Sequence, residues 1–95
     1  MSSHREFRLV ADVSSANPSA VRPVVERLVR GSITETHDGF HIEGTMAGES
    51  ARELNRTLLS ALRKVERRTR FRSGWTSLNV TERFFDYVPK GKQSG

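Results

Sequence analysis

A capped amphipathic helix in the middle of the chain is the feature that most limits the available folds. Ser50 and Glu53 have the spacing of a capping box, in which each side chain satisfies a backbone N–H at the start of a helix. Apolar residues then recur on one side of the segment: Ala51, Leu54, Leu58, Ala61, Leu62 and Val65. The pattern predicts a helix over residues 50–68 that packs one face on another layer.

A strand and a first helix are predicted ahead of this segment. Residues 7–13 alternate between apolar and polar side chains, which is the period of a half-buried strand. A cluster of turn residues then leads into apolar residues at helical spacing over residues 19–30. Pro23 fits only the first turn of such a helix, and Gly31 is expected to end it.

A β-hairpin is predicted between the two helices. Residues 32–36 and 40–46 are β-like, and the Asp38-Gly39 pair between them suits a tight turn. With a two-residue turn, His41 would pair with Thr36.

The end of the chain is also β-like. Aromatic and β-branched residues predominate from residue 71 to 88, which predicts either one long strand or a second hairpin. The whole order, βαββαβ, is that of a split βαβ unit. We therefore expect an α+β, ferredoxin-like two-layer sandwich with two helices on one face of an antiparallel sheet, and a fifth strand if the hairpin forms. Residues 1–88 would make a single domain, with residues 1–5 mobile and 89–95 a disordered tail.

Several kinds of site are excluded by composition and motifs. The chain has no cysteine, which rules out disulfides, thiolate metal sites and cysteine nucleophiles. It also has no nucleophile-elbow serine and no glycine-rich phosphate loop. We expect no cofactor and no catalytic residue. The alternative is a small pocket enzyme without a recognisable motif, whose site would be built from residues such as Trp75, His41 and Asn79.

Neither a metal site nor a membrane segment is expected. His37 and His41 flank the hairpin turn, but across such a turn their imidazoles need not converge on one ion. The first residues lack the layout of a signal peptide, and no apolar run approaches the about 18 residues that span a bilayer. A cytoplasmic protein is expected.

Positive charge is concentrated in the second half of the chain. The net charge is +5 overall, and residues 51–95 carry eleven basic against four acidic groups. Within the predicted second helix, four arginines fall opposite the apolar side, and four further basic residues extend the positive field. The candidate nucleic-acid-binding set is Arg52, Arg56, Arg63, Lys64, Arg67, Arg68, Arg70 and Arg72. The leading hypothesis is a non-enzymatic module that binds RNA or another polyanion through this helix face.

Aromatic residues near the C-terminus support a different hypothesis. They could anchor a ligand pocket or a subunit interface, in a homodimer or an adaptor protein; the candidates are Trp75, Phe84, Phe85 and Tyr87. Because Phe84 and Phe85 are adjacent, a regular strand would direct them to opposite faces.

One short segment resembles part of an RNA-recognition motif. Gly39-Phe40-His41-Ile42 has the glycine–aromatic core of that motif, which stacks bases on the central strands of a ferredoxin-like sheet. Asp38 stands where a basic residue is expected, and residues 7–12 lack the companion signature. RNA binding of that particular kind is therefore not predicted.

Overall fold

The alternating segment near the start of the chain forms the central strand of a sheet. The computed structural model describes residues 5–85. Strand β1 (Arg5–Ser14) pairs antiparallel with a strand on each side. Phe7, Leu9, Ala11 and Val13 point into the core, while the residues between them are exposed. The predicted alternation is confirmed.

Two helices and four more strands follow β1. They are α1 (Pro18–Leu28), β2 (Arg30–Glu35), β3 (Gly39–Gly48), α2 (Ala51–Val65), β4 (Arg70–Ser77) and β5 (Val80–Phe85). The strand order is β2-β3-β1-β4-β5, and every neighbouring pair is antiparallel. The protein is an α+β, ferredoxin-like two-layer sandwich, and its C-terminal segment forms the hairpin that adds a fifth strand.

The core lies between the sheet and the two helices. Apolar side chains from β1, β3, β4 and both helices meet there, and the largest fully buried ones are Trp75, Phe40, Phe71, Leu9, Ile42 and Leu58. The capping box is formed as predicted on its serine side, because Ser50 Oγ accepts from the Glu53 N–H at 3.1 Å. Within residues 5–85 no helix covers the opposite side of the sheet, and we call that side the open face.

Both helices end earlier than their periodicity predicts. The first stops at Leu28, and Val29 is already extended. Gly31 does not end the helix, because it lies in β2 opposite Gly44, where a Cβ atom would overlap the Glu43 carbonyl oxygen. The second helix stops at Val65 rather than residue 68.

The early end of α2 has a local cause. The Thr69 hydroxyl donates to the Glu66 carbonyl at 2.7 Å, and Arg63 Nε donates to the Thr69 carbonyl at 2.9 Å. These two bonds turn the chain back toward β4 where the apolar pattern alone would continue the helix.

The first hairpin turns one residue earlier than predicted. His41 pairs with Thr34 rather than with Thr36, and the Thr36 N–H donates to the Gly39 carbonyl at 3.0 Å across residues 37 and 38. Gly39 packs directly against the β1 backbone, where a Cβ atom would overlap the Val13 carbonyl oxygen. This glycine is therefore required by close strand packing rather than by the turn.

Candidate functional site

The basic residues predicted as one surface divide into groups. Arg52 and Arg56 are exposed on α2, and Arg56 Nη2 lies 2.9 Å from Glu53 Oε2. Arg63 is half-buried and is held by the Thr69 carbonyl. Lys64 is exposed in the last turn of α2. The helix face is basic, but part of its charge is engaged within the protein.

The remaining basic candidates continue from the helix to the other side of the sheet. Arg67 and Arg68 are exposed in the connection after α2. In β4, Phe71 is buried while Arg70 and Arg72 are exposed, so these two arginines belong to the open face. The sheet separates them from the helical arginines, and the predicted continuous line along and beyond the helix is not formed.

Residues from two separately predicted sites meet on the open face. Arg72 lies directly opposite Phe85 in the β4–β5 pair, and its guanidinium carbon is 5.7 Å from the centre of the phenyl ring. That distance is within the range of a cation–π contact. Phe85 is 69% exposed, which is unusual for a phenylalanine. The pair presents a positive charge and an aromatic ring together.

A notch beside this pair interrupts the open face. Gly74 contributes no side chain between its cross-strand neighbours, Val10 on β1 and Arg83 on β5. The resulting depression holds about 500 Å³ and is lined by Val10, Asp12, Arg72, Ser73, Gly74, Thr76, Thr81, Arg83 and Phe85. We call it the Gly74 notch. Val10 is 43% exposed, so the notch has an apolar element as well as charged ones.

A hydrogen-bonded histidine lies next to the notch. His41 Nδ1 is 2.8 Å from Asp12 Oδ1, and His41 Nε2 is 3.1 Å from Glu43 Oε2. The hydrogen bond to Asp12 and then that to Glu43 raise the pKa of His41 above 6.5, because both favour the imidazolium. Asp12 pairs with His41 on one side and with Arg72 on the other, so charges alternate along this row.

The open face is positive overall. Its alternating positions place five arginines there against three carboxylates: Arg8, Arg30, Arg70, Arg72 and Arg83 against Glu6, Asp12 and Glu43. Threonines and serines occupy half of the other positions. A sheet surface with this composition can contact phosphates through the arginines and a base through the exposed ring.

The other predicted aromatic residues occupy different environments. Trp75 is fully buried, and its Nε1 donates to Asn55 Oδ1 at 3.0 Å, so it belongs to the core. Phe84 is partly buried against the core. Tyr87 lies outside residues 5–85. The three residues named for the enzyme hypothesis do not come together. Trp75 and His41 lie on opposite faces of the sheet, and Asn79 lies in the β4–β5 turn.

The resemblance to an RNA-recognition motif does not extend to its chemistry. Phe40 is 1% exposed and points into the core, so it offers no ring to a base. On the open face β1 and β3 carry no Phe, Tyr or Trp side chain, and the ring on β3 is the imidazole of His41, which is hydrogen-bonded to Asp12 and Glu43. Among residues 5–85, Phe85 on the edge strand supplies the exposed phenyl ring on this side of the sheet.

Residues 5–85 contain no group of three or more His, Asp or Glu side chains arranged to hold a metal ion. Both ring nitrogens of His41 already face carboxylates. Within that same range no helix is long and apolar enough to cross a bilayer.

Comparison with known proteins gives no further guidance. The chain matched no protein-family model, no curated protein and no solved structure. Sequence reasoning missed Val10, Asp12, Gly74 and Arg83, because their convergence depends on the β1–β4–β5 register. The signal that was available is the alternation itself, which places Val10 and Asp12 opposite the core residues of β1.

Proposed function

We propose that the protein is a non-enzymatic module that binds single-stranded RNA on the open face of its sheet. The observation that carries the proposal is the pairing of Arg72 with the exposed ring of Phe85. Arginine contacts phosphates without regard to sequence, and an accessible ring stacks an unpaired base. Arg70 and Arg83, on the same face, supply further positive charge near this pair.

A single strand fits this surface better than a duplex. The bases of a duplex are stacked and paired, so they cannot reach a ring on a sheet, whereas the bases of a single strand can turn outward. The open face is a sheet surface rather than a protruding helix that could enter a groove. Stacking on Phe85 with phosphates on Arg72 and Arg83 requires only one strand.

The basic face of α2 is less suited to bind the RNA than the open face. Arg56 is paired with Glu53, and Arg63 is committed to the Thr69 carbonyl. The part of α2 that the structure describes also offers no exposed aromatic residue. Its charge would steer a polyanion toward the protein without stacking a base.

Two charge-matched variants discriminate between the surfaces. Arg72→Glu/Arg83→Glu reverses two arginines on the open face, and Arg56→Glu/Arg67→Glu reverses two on the predicted helical surface. Fluorescence anisotropy with a labelled single-stranded RNA at about 50 and 200 mM salt would measure both. We expect at least tenfold weaker binding and a shallower salt dependence for the first variant, and a loss of about threefold or less for the second.

The outcomes separate three interpretations. A larger loss in the helix variant would move the interface to α2, and equal losses would mean that only the total charge matters. Absence of binding by the wild type at about 50 mM salt would refute the proposal. Equal affinity for duplex RNA would exclude a role for unpaired bases.

Stacking is tested by substitutions of Phe85. Phe85→Ala should weaken binding by a factor of about 5 to 160, because base–aromatic stacking contributes about 1 to 3 kcal/mol. Phe85→Trp should retain the affinity, since the indole offers a larger ring. The ring is mostly exposed, so neither change should lower the thermal midpoint appreciably.

Exposed apolar side chains on the last hairpin favour a second candidate function, self-association. Leu78 is 78% exposed, and Val80 is 60% exposed. Val80 lies on the helix side of β5, Leu78 in the turn and Phe85 on the open face, so a second copy that packs against the β4–β5 hairpin could cover apolar side chains on either side of it. Analytical ultracentrifugation over a hundredfold concentration range tests this: a mass that rises with concentration, and falls in Phe85→Ser, supports it. A constant monomer mass contradicts it.

A further inference from the structure

The Gly74 notch has room for a flat ring. A Cβ atom built on Gly74 would have as nearest neighbours the Val10 carbonyl oxygen at 3.8 Å, Arg83 Cγ at 3.9 Å and Thr81 Cγ2 at 3.9 Å. These are ordinary contact distances, so neither backbone packing nor strain requires glycine at this position. The missing side chain therefore creates the depression.

The lining of the notch suits a nucleobase. The half-exposed Val10 side chain provides an apolar surface, and the Phe85 ring provides an aromatic one. Arg72 and Arg83 lie at its sides, where they can reach the phosphates that flank a base. An apolar floor with a few placed polar groups is the usual composition of a small-ligand site.

Asp12 supplies the polar group that distinguishes one base from another. The Asp12 side chain is 65% exposed although Oδ1 is held by His41 Nδ1 at 2.8 Å. A carboxylate only accepts hydrogen bonds, and it has lone pairs for about four. The hydroxyl groups of Thr76 and Thr81 are less available to a ligand, because they hydrogen-bond to each other at 2.7 Å.

An acceptor-only group favours guanine. The Watson–Crick edge of guanine carries two adjacent donors, N1–H and the exocyclic amino group, which can bond one carboxylate in parallel. Adenine and cytosine place an acceptor beside their amino group, and uracil places carbonyl oxygens on both sides of its single donor. Each of these three would set an acceptor against the carboxylate.

We infer that the Gly74 notch binds one unpaired guanine base of the RNA, with Asp12 accepting from its Watson–Crick edge. The inference rests on the proposed function, since it assigns specificity to the same surface.

The test uses four labelled ten-nucleotide RNAs, each a run of uridines with G, A, C or U at one central position. The strand with G should bind about tenfold more tightly than the others, since a good bidentate contact discriminates by about that factor or more. Asp12→Asn should abolish the preference, because an amide cannot accept at both atoms. Gly74→Val should abolish it by filling the notch. Both variants should keep the salt dependence of the wild type.

Glu43→Gln is the matched control. Glu43 is the other carboxylate held by His41, but it does not line the notch. Its substitution should leave the preference for G unchanged, and a loss there would show that the effect acts through His41. Unlabelled guanosine monophosphate, added as competitor, tests whether the notch takes a free nucleotide. If guanosine monophosphate displaces the strand at micromolar concentration, the ligand of the notch is a free nucleotide rather than a base of the RNA.

Failure of the inference differs from failure of the proposed function. If no strand binds at about 50 mM salt, the RNA-binding proposal itself is refuted. If all four strands bind equally, or if Gly74→Val keeps the preference, only the assignment of guanine to the notch is overturned. A thermal melt of each variant confirms that it is folded before its affinity is interpreted.

Discussion

His41 bonds two carboxylates on an exposed surface, and this couples folding to pH. The hydrogen bonds to Asp12 and Glu43 raise the pKa of the folded imidazole above the 6.5 of an unfolded one. The folded state therefore binds a proton more tightly than the unfolded state. The stabilisation is fully present below pH 6.5 and is lost as the pH rises through the folded pKa.

We expect the free energy of unfolding to fall through this group as the pH rises above 6.5. Urea denaturation at a series of pH values measures it, and His41→Gln should flatten the slope. A folded pKa of 6.5 or lower for His41 in an NMR titration would contradict the interpretation.

Asn55 is a buried polar residue on the apolar side of α2. Its Oδ1 accepts from Trp75 Nε1 and from the Ser73 hydroxyl, and its Nδ2 has no partner within residues 5–85. We expect Asn55→Leu to lower the free energy of unfolding by about 1 to 3 kcal/mol, because it removes the acceptor for two buried donors. Chemical denaturation followed by Trp75 fluorescence measures this. Arg56→Leu, next in sequence but exposed, should change stability by about 0.5 kcal/mol or less.

The β4–β5 turn has a leucine at a position where the backbone conformation favours glycine or asparagine. Leu78 has φ of 51° and Asn79 has φ of 65°, so both occupy the left-handed region. Two-residue hairpin turns with two positive φ angles favour Asn-Gly, because a branched side chain is strained there. We expect Leu78→Asn/Asn79→Gly to raise the free energy of unfolding by about 1 kcal/mol in urea denaturation. Destabilisation would mean that Leu78 makes contacts that offset the strain.

Sequence patterns predicted the elements better than their ends. The helix from the capping box and the alternation of β1 follow from local chemistry, so both were predictable. The ends of α1 and α2 depend on tertiary contacts, such as the bond from Arg63 to the Thr69 carbonyl and the packing of Gly31 on β3. The apolar pattern of a single segment does not contain those contacts.

The candidate site was predicted only in pieces. Arg72 was assigned to a polyanion surface and Phe85 to an interface, and the strand register joins them. The sequence predicts that Arg70 and Arg72 extend the positive field of the helix face. Charge alone does not show on which face of a strand a residue will lie. Asp12 and Gly74 become part of the site only once β1 and β4 are paired.

At the scale of the whole molecule, all elements share one core, so a core defect should weaken the entire domain. Leu58 is fully buried on α2, whereas Val65 on the same helix is 48% exposed. We expect Leu58→Ala to lower the free energy of unfolding by about 2 to 5 kcal/mol, a large part of the about 5 to 15 kcal/mol of a typical domain. Val65→Ala should cost less than about 1 kcal/mol.

Trp75 fluorescence and far-ultraviolet circular dichroism should follow the same transition in both variants, as in two-state unfolding. Separate transitions for the two probes would show that the β4–β5 hairpin unfolds independently of the rest.

The position of β1 at the centre of the sheet also governs when the chain can fold during its synthesis. One neighbour of β1, strand β3, follows after about thirty residues, but the other, β4, ends only at Ser77. At about 5 to 20 residues per second, the ribosome needs several seconds between making β1 and completing its second partner. For that interval one edge of the central strand is unpaired, and the nascent chain is open to chaperones and to pairing with other chains.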